Sequence, residues 1–194
     1  MDPVPVTLSG RFVRLEPLNS HHFDALVQVG AGRGIFEYFP IQIETPDELR
    51  AYLNFCIGQM QTGEGVTFTT ISLADDQPVG GTSFLAIDRL HRRLEIGGTW
   101  IAPEWQRTPC NTEAKYLQLR HCFEDLGCAR VEFKTDSLNE KSRAALTRIG
   151  AVEEGTLRNH MIVQPSGRNR HSVYFSVIES EWPAVKTRLE AKLG

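Results

Sequence analysis

The sequence predicts a mixed α/β (α+β) fold: a single domain built on a mostly antiparallel sheet with helices on both faces. Three observations support this. Segments of period 2 and period 3.6 alternate in the order strand, two helices, three strands, helix, strand, helix, two strands, helix. Two of the strand pairs are joined by short turns, Ala74–Gln77 and Gln164–Gly167, which is the signature of antiparallel neighbours. Between them, Leu94 to Gly127 reads as a strand, a tight polar loop and a long helix.

The first strand is expected over Arg11–Leu18, where polar and apolar residues alternate. Ser20 is a suitable N-cap for a helix through His21–Val27, ended by Gly30 and Gly32. An aromatic-rich linker, Ile35–Pro40, follows. Thr45, Pro46 and Glu48 then supply a cap, a first helical residue and a capping-box partner. Leu49, Leu53, Cys56, Ile57 and Met60 continue that helix along one face, and Gly63 and Gly65 stop it. Strands are expected near Val66–Leu73, Pro78–Ile87 and Leu94–Ile101. The next helix should run from about Thr112 to Leu126, burying a stripe of Tyr116, Leu119, Phe123 and Leu126 and ending at Gly127. Arg130–Thr135 reads as a strand, and Asn139–Ile149 as a helix with Ala144, Ala145, Leu146 and Ile149 inward and Gly150 as its stop. Glu154–Val163 and His171–Ile178 are the last strands, and a final helix begins near Glu179 and reaches Leu193.

Composition narrows the function classes. The chain has 194 residues, enough for one domain with a substantial core, and its 41% hydrophobic and 23% charged content is that of a globular protein. A formal net charge of −3 gives no basic surplus of the kind nucleic acid requires. Arg89–Arg93 and Arg168–His171 are local basic clusters and read as solvated faces. There is no apolar run of membrane-spanning length and no targeting pattern at Met1–Pro5, so a cytoplasmic protein without membrane contact is expected. The four cysteines, Cys56, Cys110, Cys122 and Cys128, have neither the spacing of a metal site nor a disulfide framework; they read as free thiols, and no metal is expected.

The unit Leu94–Gly127 carries the chemistry. A strand feeding a polar loop into a helix directs unpaired backbone N–H groups and the positive end of the helix dipole toward one point, which suits a phosphate. The same pattern also occurs as a plain strand-to-helix turn with Asn111 or Thr112 as cap.

Taken together, these segments resemble the GNAT superfamily of acetyl-CoA-dependent N-acetyltransferases, and within it the RimJ/RimL-type branch. The resemblance rests on Gly10–Leu18, Glu95-Ile96-Gly97, Trp100–Glu104, Asn111-Thr112-Glu113-Ala114-Lys115, Asn139–Ala144, Ile149-Gly150-Ala151 and Glu154–Arg158, in that order, and spans the chain from about Val6 onward. It implies acetyl-CoA as co-substrate and acetyl transfer to a primary amine, either a small molecule or a protein N-terminus. Backbone groups of Trp100, Ile101 and Ala102 would run beside the pantetheine arm. Gln106, Arg107, Thr108, Cys110, Asn111 and Thr112 would meet the pyrophosphate, and Asn139 would make a further cofactor contact. One departure from the family's loop is Pro109, which lacks an N–H. The resemblance also allows a homodimer.

Transfer to an amine needs alignment, a proton acceptor, an oxyanion partner and a donor to the leaving sulfur. Ser142 falls where the branch places a serine near the CoA sulfur; many relatives carry a tyrosine one turn further on, where this chain has Leu146. A first-turn serine and an N-cap asparagine are equally common structural devices. Glu95 is the candidate base, acting directly or through water, against the plainer reading of a strand-end charge paired with Arg92 or Arg93. Strand alternation would set Glu95, Gly97 and Thr99 on one face and Leu94, Ile96 and Trp100 on the other. Phe36, Tyr38 and Phe39 could wall the acceptor site, with Arg158 and His160 as polar contacts, although such residues also serve as core or structure. Pro109 leaves a second class open, a non-catalytic acyl-CoA-binding or regulatory module on the same fold.

Overall fold

The computed structural model describes residues 1–194. Its eight strands form one sheet in the order β1-β2-β3-β4-β5-β6-β8-β7. They are β1 (Leu8–Ser9), β2 (Val13–Pro17), β3 (Val66–Ser72), β4 (Gln77–Asp88), β5 (Arg93–Ile101), β6 (Arg130–Asp136), β7 (Val152–Val163) and β8 (Arg168–Ile178). The helices are α1 (Phe23–Gly30), α2 (Pro46–Thr62), α3 (Pro109–Arg120), α4 (Glu140–Ile149) and α5 (Trp182–Leu193). Every pairing is antiparallel except β5 with β6.

Packing divides into two apolar layers. One face of the sheet, with Val13, Leu15, Phe68, Phe84, Leu94, Ile96, Val131, Phe133 and Phe175, is covered by α3, α4 and α5. The other face is covered by α1 and α2 over the first half of the sheet only, around Leu26, Phe36, Leu49, Leu53 and Trp100. Over β6, β8 and β7 that second face carries Glu132, Lys134, Asp136, Ser172 and Tyr174, and no helix lies on it. No helix is long and apolar enough to cross a membrane.

Most elements lie where periodicity placed them, with informative exceptions. The capping box of α2 forms as expected, with Thr45 Oγ1 accepting from Glu48 N–H and the Glu48 carboxylate accepting from Thr45 N–H at 2.9 Å. The cap before α1 is Asn19 rather than Ser20, and it opens a short 3₁₀ turn, Ser20–His22. The cap of α3 is Thr108, so the helix begins at Pro109, not Thr112, and it gives way to a π-helical turn over His121–Asp125. Of its expected stripe Leu119 is fully buried, and the other inward residues are Ala114, Leu117, Gln118, His121 and Cys122. Tyr116 and Phe123 lie aside against Trp182 of α5, their rings 6.3 and 5.5 Å from the indole. In α4 only Leu146 and Ile149 are buried; Ala144 is exposed. Short β1 has too few residues to show alternation.

A polar contact locks the first strands to α3. Glu113, 4% exposed, accepts the backbone N–H groups of Arg11, Phe12 and Val13 at 2.8, 2.6 and 2.7 Å. These donors lie at the corner between β1 and β2, where no strand can pair them.

Candidate active site

The parallel pairing of β5 with β6 lasts three residues, Arg93–Glu95 against Arg130–Glu132. Beyond it the strands separate, β5 running on to α3 and β6 to α4. The register with β4 shows why β5 leaves. Ser83 faces Gly97 but Gly81 faces Trp100, so β5 carries one extra residue there, a bulge. Gly98 sits in it at φ +57°, a conformation a β-carbon disfavours, and Gly98 and Thr99 stand outside both ladders.

The bulge also inverts the alternation expected of this strand. Thr99 joins Ile96 on the α3 face, while Trp100 turns to the α1/α2 face and packs its ring 5.3 Å from Phe36. The expected shared face of Glu95, Gly97 and Thr99 is therefore broken after Gly97. Downstream, Ala102 N–H donates to the Val79 carbonyl at 2.8 Å. Antiparallel alternation then directs the peptide groups of Trp100 and Ala102 at β4 and those of Ile101 at the gap. The Ile101 carbonyl accepts from the Gln106 side chain at 3.0 Å, which ties the loop to the strand.

The loop into α3 is rich in open donors. Arg107 is exposed with φ +62°, and the backbone N–H groups of Arg107 and Thr108 have no acceptor within the protein. Thr108 Oγ1 donates to the Trp105 carbonyl at 2.7 Å and accepts from Cys110 N–H at 3.3 Å. Pro109 is the first residue of the helix, where a missing N–H costs no intrahelical bond. Cys110 is buried in the core, and burial pushes its thiol up, so its side chain faces away from the loop's outer surface. Asn111 Oδ1 is buried without a partner. Thr112 is half-buried and its hydroxyl makes no hydrogen bond in the protein.

Across the gap stands the start of α4. Asn139 is its N-cap, and Oδ1 accepts from Ser142 N–H at 3.0 Å. The Ser142 hydroxyl is half-buried and makes no bond within the protein. Asp136, fully buried, holds this junction: it accepts from Leu138 N–H at 3.0 Å and from Arg168 at 2.7 Å.

At the apex of the gap lies Glu95, 5% exposed and 3.1 Å from Lys134 Nζ. Gly97 makes room for it, since a β-carbon there would lie 2.6 Å from Glu95 Oε1. Lys134 also stands 5.9 Å over the Tyr174 ring, and His160 packs edge-on to Tyr174 at 5.7 Å while bonding Ser172 Oγ at 3.1 Å. Desolvation, with the charges of Lys134 and Arg170, lowers His160; burial raises Tyr174. Glu95, Lys134, Tyr174 and His160 thus form one polar group on the uncovered face. Arg158 does not join it and lines a separate hollow with Thr156, Leu157, Asn159 and His171.

The aromatic linker spans both halves of this face. Phe36 is buried and packs against Phe39, Tyr52 and Trp100, so it is a core residue. Tyr38 and Phe39 are half-buried; the Tyr38 carbonyl accepts from Arg170 at 3.2 Å, and the Pro40 carbonyl accepts from Gln164 N–H at 3.0 Å. Two further residues, neither given a role by the sequence, reach the site. A β-carbon at Gly98 would lie 3.0 Å from the Tyr52 hydroxyl, which therefore abuts the bulge from α2, and burial raises that phenol well above its ordinary value. Lys115, from α3, reaches the bulge from the opposite side.

Strand, bulge, phosphate-suited loop and divergent neighbour match a described family. Residues 13–152 match the acetyltransferase (GNAT) domain. The chain belongs to this family. Over 114 residues it is 36% identical to YdaF of Bacillus subtilis (strain 168), which carries the provisional name ribosomal N-acetyltransferase; the match spans 59% of this chain and 61% of YdaF. Its fold superposes on a GCN5-related N-acetyltransferase from Brucella melitensis with a TM-score of 0.91 and 33% identity, over 100% of this chain and 88% of that one. Mycobacterium smegmatis RimJ, solved with CoA-disulfide, shares the fold at a TM-score of 0.81 and 22% identity, over 97% of this chain and 95% of RimJ. The chain is thus a GNAT-family N-acetyltransferase.

Proposed function

We propose that this chain moves the acetyl group of acetyl-CoA to a primary amine by direct attack in a ternary complex, without an acyl-enzyme. The carrying observation is the gap opened by the β5 bulge, with unpaired N–H donors on one side and the free Ser142 hydroxyl on the other. The residues present fit the co-substrate. The open N–H groups of Arg107 and Thr108 at a helix N-terminus suit the pyrophosphate. The unpartnered Asn111 Oδ1 and the outward peptide groups of Ile101 would hold the rest of the arm. Acetyl-CoA supplies an activated acyl group, so the protein needs only to align, accept a proton and stabilise charge.

Glu95 would take the proton lost by an attacking ammonium, directly or through water, and Ser142 would donate to the departing sulfur. The peptide N–H groups of the bulge, which stand outside both ladders, would be available to the carbonyl oxygen as negative charge develops on it. The four cysteines are buried, and burial raises the Cys122 thiol that neighbours Lys115, which favours direct transfer in a cytoplasmic enzyme over a thiol intermediate.

The acceptor face is open and polar, bordered by Lys134, Tyr174, His160 and the linker. This favours a protein N-terminus over a small amine held in an enclosed pocket, in keeping with the provisional name of YdaF. Calorimetric titration with acetyl-CoA and desulfo-CoA, followed by thiol release with free and N-blocked peptides, tests the reading. Binding near micromolar, about −8 kcal/mol, and turnover confined to free amino termini are expected. No binding of either CoA would overturn it.

A further inference from the structure

Lys115 is buried beneath the β5 bulge and forms no salt bridge. Its Nζ instead donates to Thr99 Oγ1 at 2.6 Å, Thr82 Oγ1 at 3.0 Å and Gln118 Oε1 at 3.2 Å. An ammonium has three donors, and here it meets three neutral acceptors. Thr82 Oγ1 and Thr99 Oγ1 also lie 2.8 Å apart, and Thr82 bonds Gln118 Oε1 at 3.1 Å. Thr99 belongs to the bulge and Thr82 to the strand opposite it.

Burying a charge without a counter-charge is costly, and an apolar residue of similar length fills such a space at less expense. The same knot leaves Gln118 Nε2 buried and unpartnered. Packing alone does not account for this arrangement. Its geometric effect is specific: a three-way donor joins both sides of the bulge at the point where β5 has lost its ladder.

We propose that Lys115 is a positioning residue that fixes the β5 bulge from beneath and so sets where the peptide N–H groups of Gly98 and Thr99 meet the acetyl carbonyl of the co-substrate. This rests on the acetyl-CoA reading above. The surroundings let the lysine act without competition. β4 offers only Thr82, β5 only Thr99 and α3 only Gln118, and the one titratable neighbour is the Cys122 thiol, which burial raises so that it stays neutral. Burial lowers Lys115 itself to about 7. Loss of its proton exchanges a donor for an acceptor toward the two hydroxyls, so the bulge responds to pH.

The test follows the backbone amides of Gly97–Ile101 and the Lys115 Cε resonance by NMR as pH rises from 6 to 9 without any CoA, in the unaltered protein, Lys115→Met, Thr99→Val and Thr99→Ser. Calorimetry with acetyl-CoA and CoA accompanies it. The bulge amides should share the Lys115 midpoint. Lys115→Met and Thr99→Val should abolish that transition and lower the preference for acetyl-CoA over CoA by roughly fivefold, about the worth of one neutral hydrogen bond. CoA binding should stay within about twofold, and Thr99→Ser should restore both properties. Bulge amides that ignore the Lys115 titration, or a Lys115→Met protein with the unaltered acetyl-CoA preference, would overturn the proposal. If the unaltered protein binds neither CoA, it is the acetyl-transfer reading that falls. If it binds both and Lys115→Met binds them identically, that reading stands and the role of Lys115 falls.

Discussion

Replacing Glu113 by glutamine isolates the contact that ties the β1–β2 corner to α3. Glu113 Oε2 accepts from Phe12 and Val13, and Oε1 accepts from Arg11. In the best arrangement the amide oxygen takes the place of Oε2 and keeps two bonds, now neutral. The amide NH₂ then faces the Arg11 N–H, donor against donor. Losing one charge-assisted bond costs about 1.5–3 kcal/mol, and weakening two others adds about 1 kcal/mol in total, for a loss of about 2.5–4 kcal/mol. Against a total stability of about 5–15 kcal/mol the protein stays folded but is clearly weakened. With a urea slope of about 2 kcal/mol/M, the unfolding midpoint followed by circular dichroism should fall by roughly 1.2–2 M. A fall below about 0.3 M at unchanged slope would refute the reasoning, because it would mean these N–H groups find other partners.

Four further outcomes follow from the site. Ser142→Ala should lower kcat more than it raises KM for acetyl-CoA, and an unchanged kcat in single-turnover acetyl transfer would remove Ser142 from the leaving-group role. Glu95→Gln should flatten the acidic limb of the pH–rate profile; an unaltered limb would return Glu95 to a structural pair with Lys134. Gly98→Val forces a branched side chain into a left-handed turn and against the Tyr52 hydroxyl, so acetyl-CoA affinity should fall about 10-fold or more, by calorimetry. Lys115 should also shape the stability curve. Its folded value, near 7, lies below its ordinary 10.5, so between these limits the unfolded chain binds more protons and stability rises with pH. Relative to Lys115→Met, the unaltered protein should gain about 1–2 kcal/mol between pH 7 and 8.5 in urea titrations; a flat difference would contradict the burial of the charge.

Sequence patterns revealed what repeats and missed what depends on a neighbour. The α2 capping box and the hairpin turns are local, so Thr45, Glu48 and Gln164–Gly167 could be read directly. The inverted side of Trp100 could not, because alternation assumes an unbroken ladder and one inserted residue at Gly97–Gly98 reverses it. Adjacent glycines in a strand were the available sign of that bulge. Thr108 and Pro109 already spelled a helix start, a cap followed by proline, yet the phosphate-loop reading placed the start later. Glu113 and Lys115 resemble solvent-facing helix residues until the strands they contact are in place. Tyr52 gave no signal, since an aromatic residue on an amphipathic helix suggests only core.

The brief contact between β5 and β6 has a mechanical consequence. β2–β5 and β6–β8–β7 are each closed by longer antiparallel ladders, and between them the sheet is continuous over three residue pairs alone. Ion pairs lie on this seam, Arg93 with Glu132 at 3.2 Å and Glu95 with Lys134 at 3.1 Å. The two half-sheets are therefore joined in the sheet itself by this short seam alone, with the core beneath it spanning both, and the mouth opens from the seam toward Arg107 and Ser142. Glu95 is part of the seam as well as the candidate base, so a substitution there alters the junction of the two half-sheets and the chemistry together.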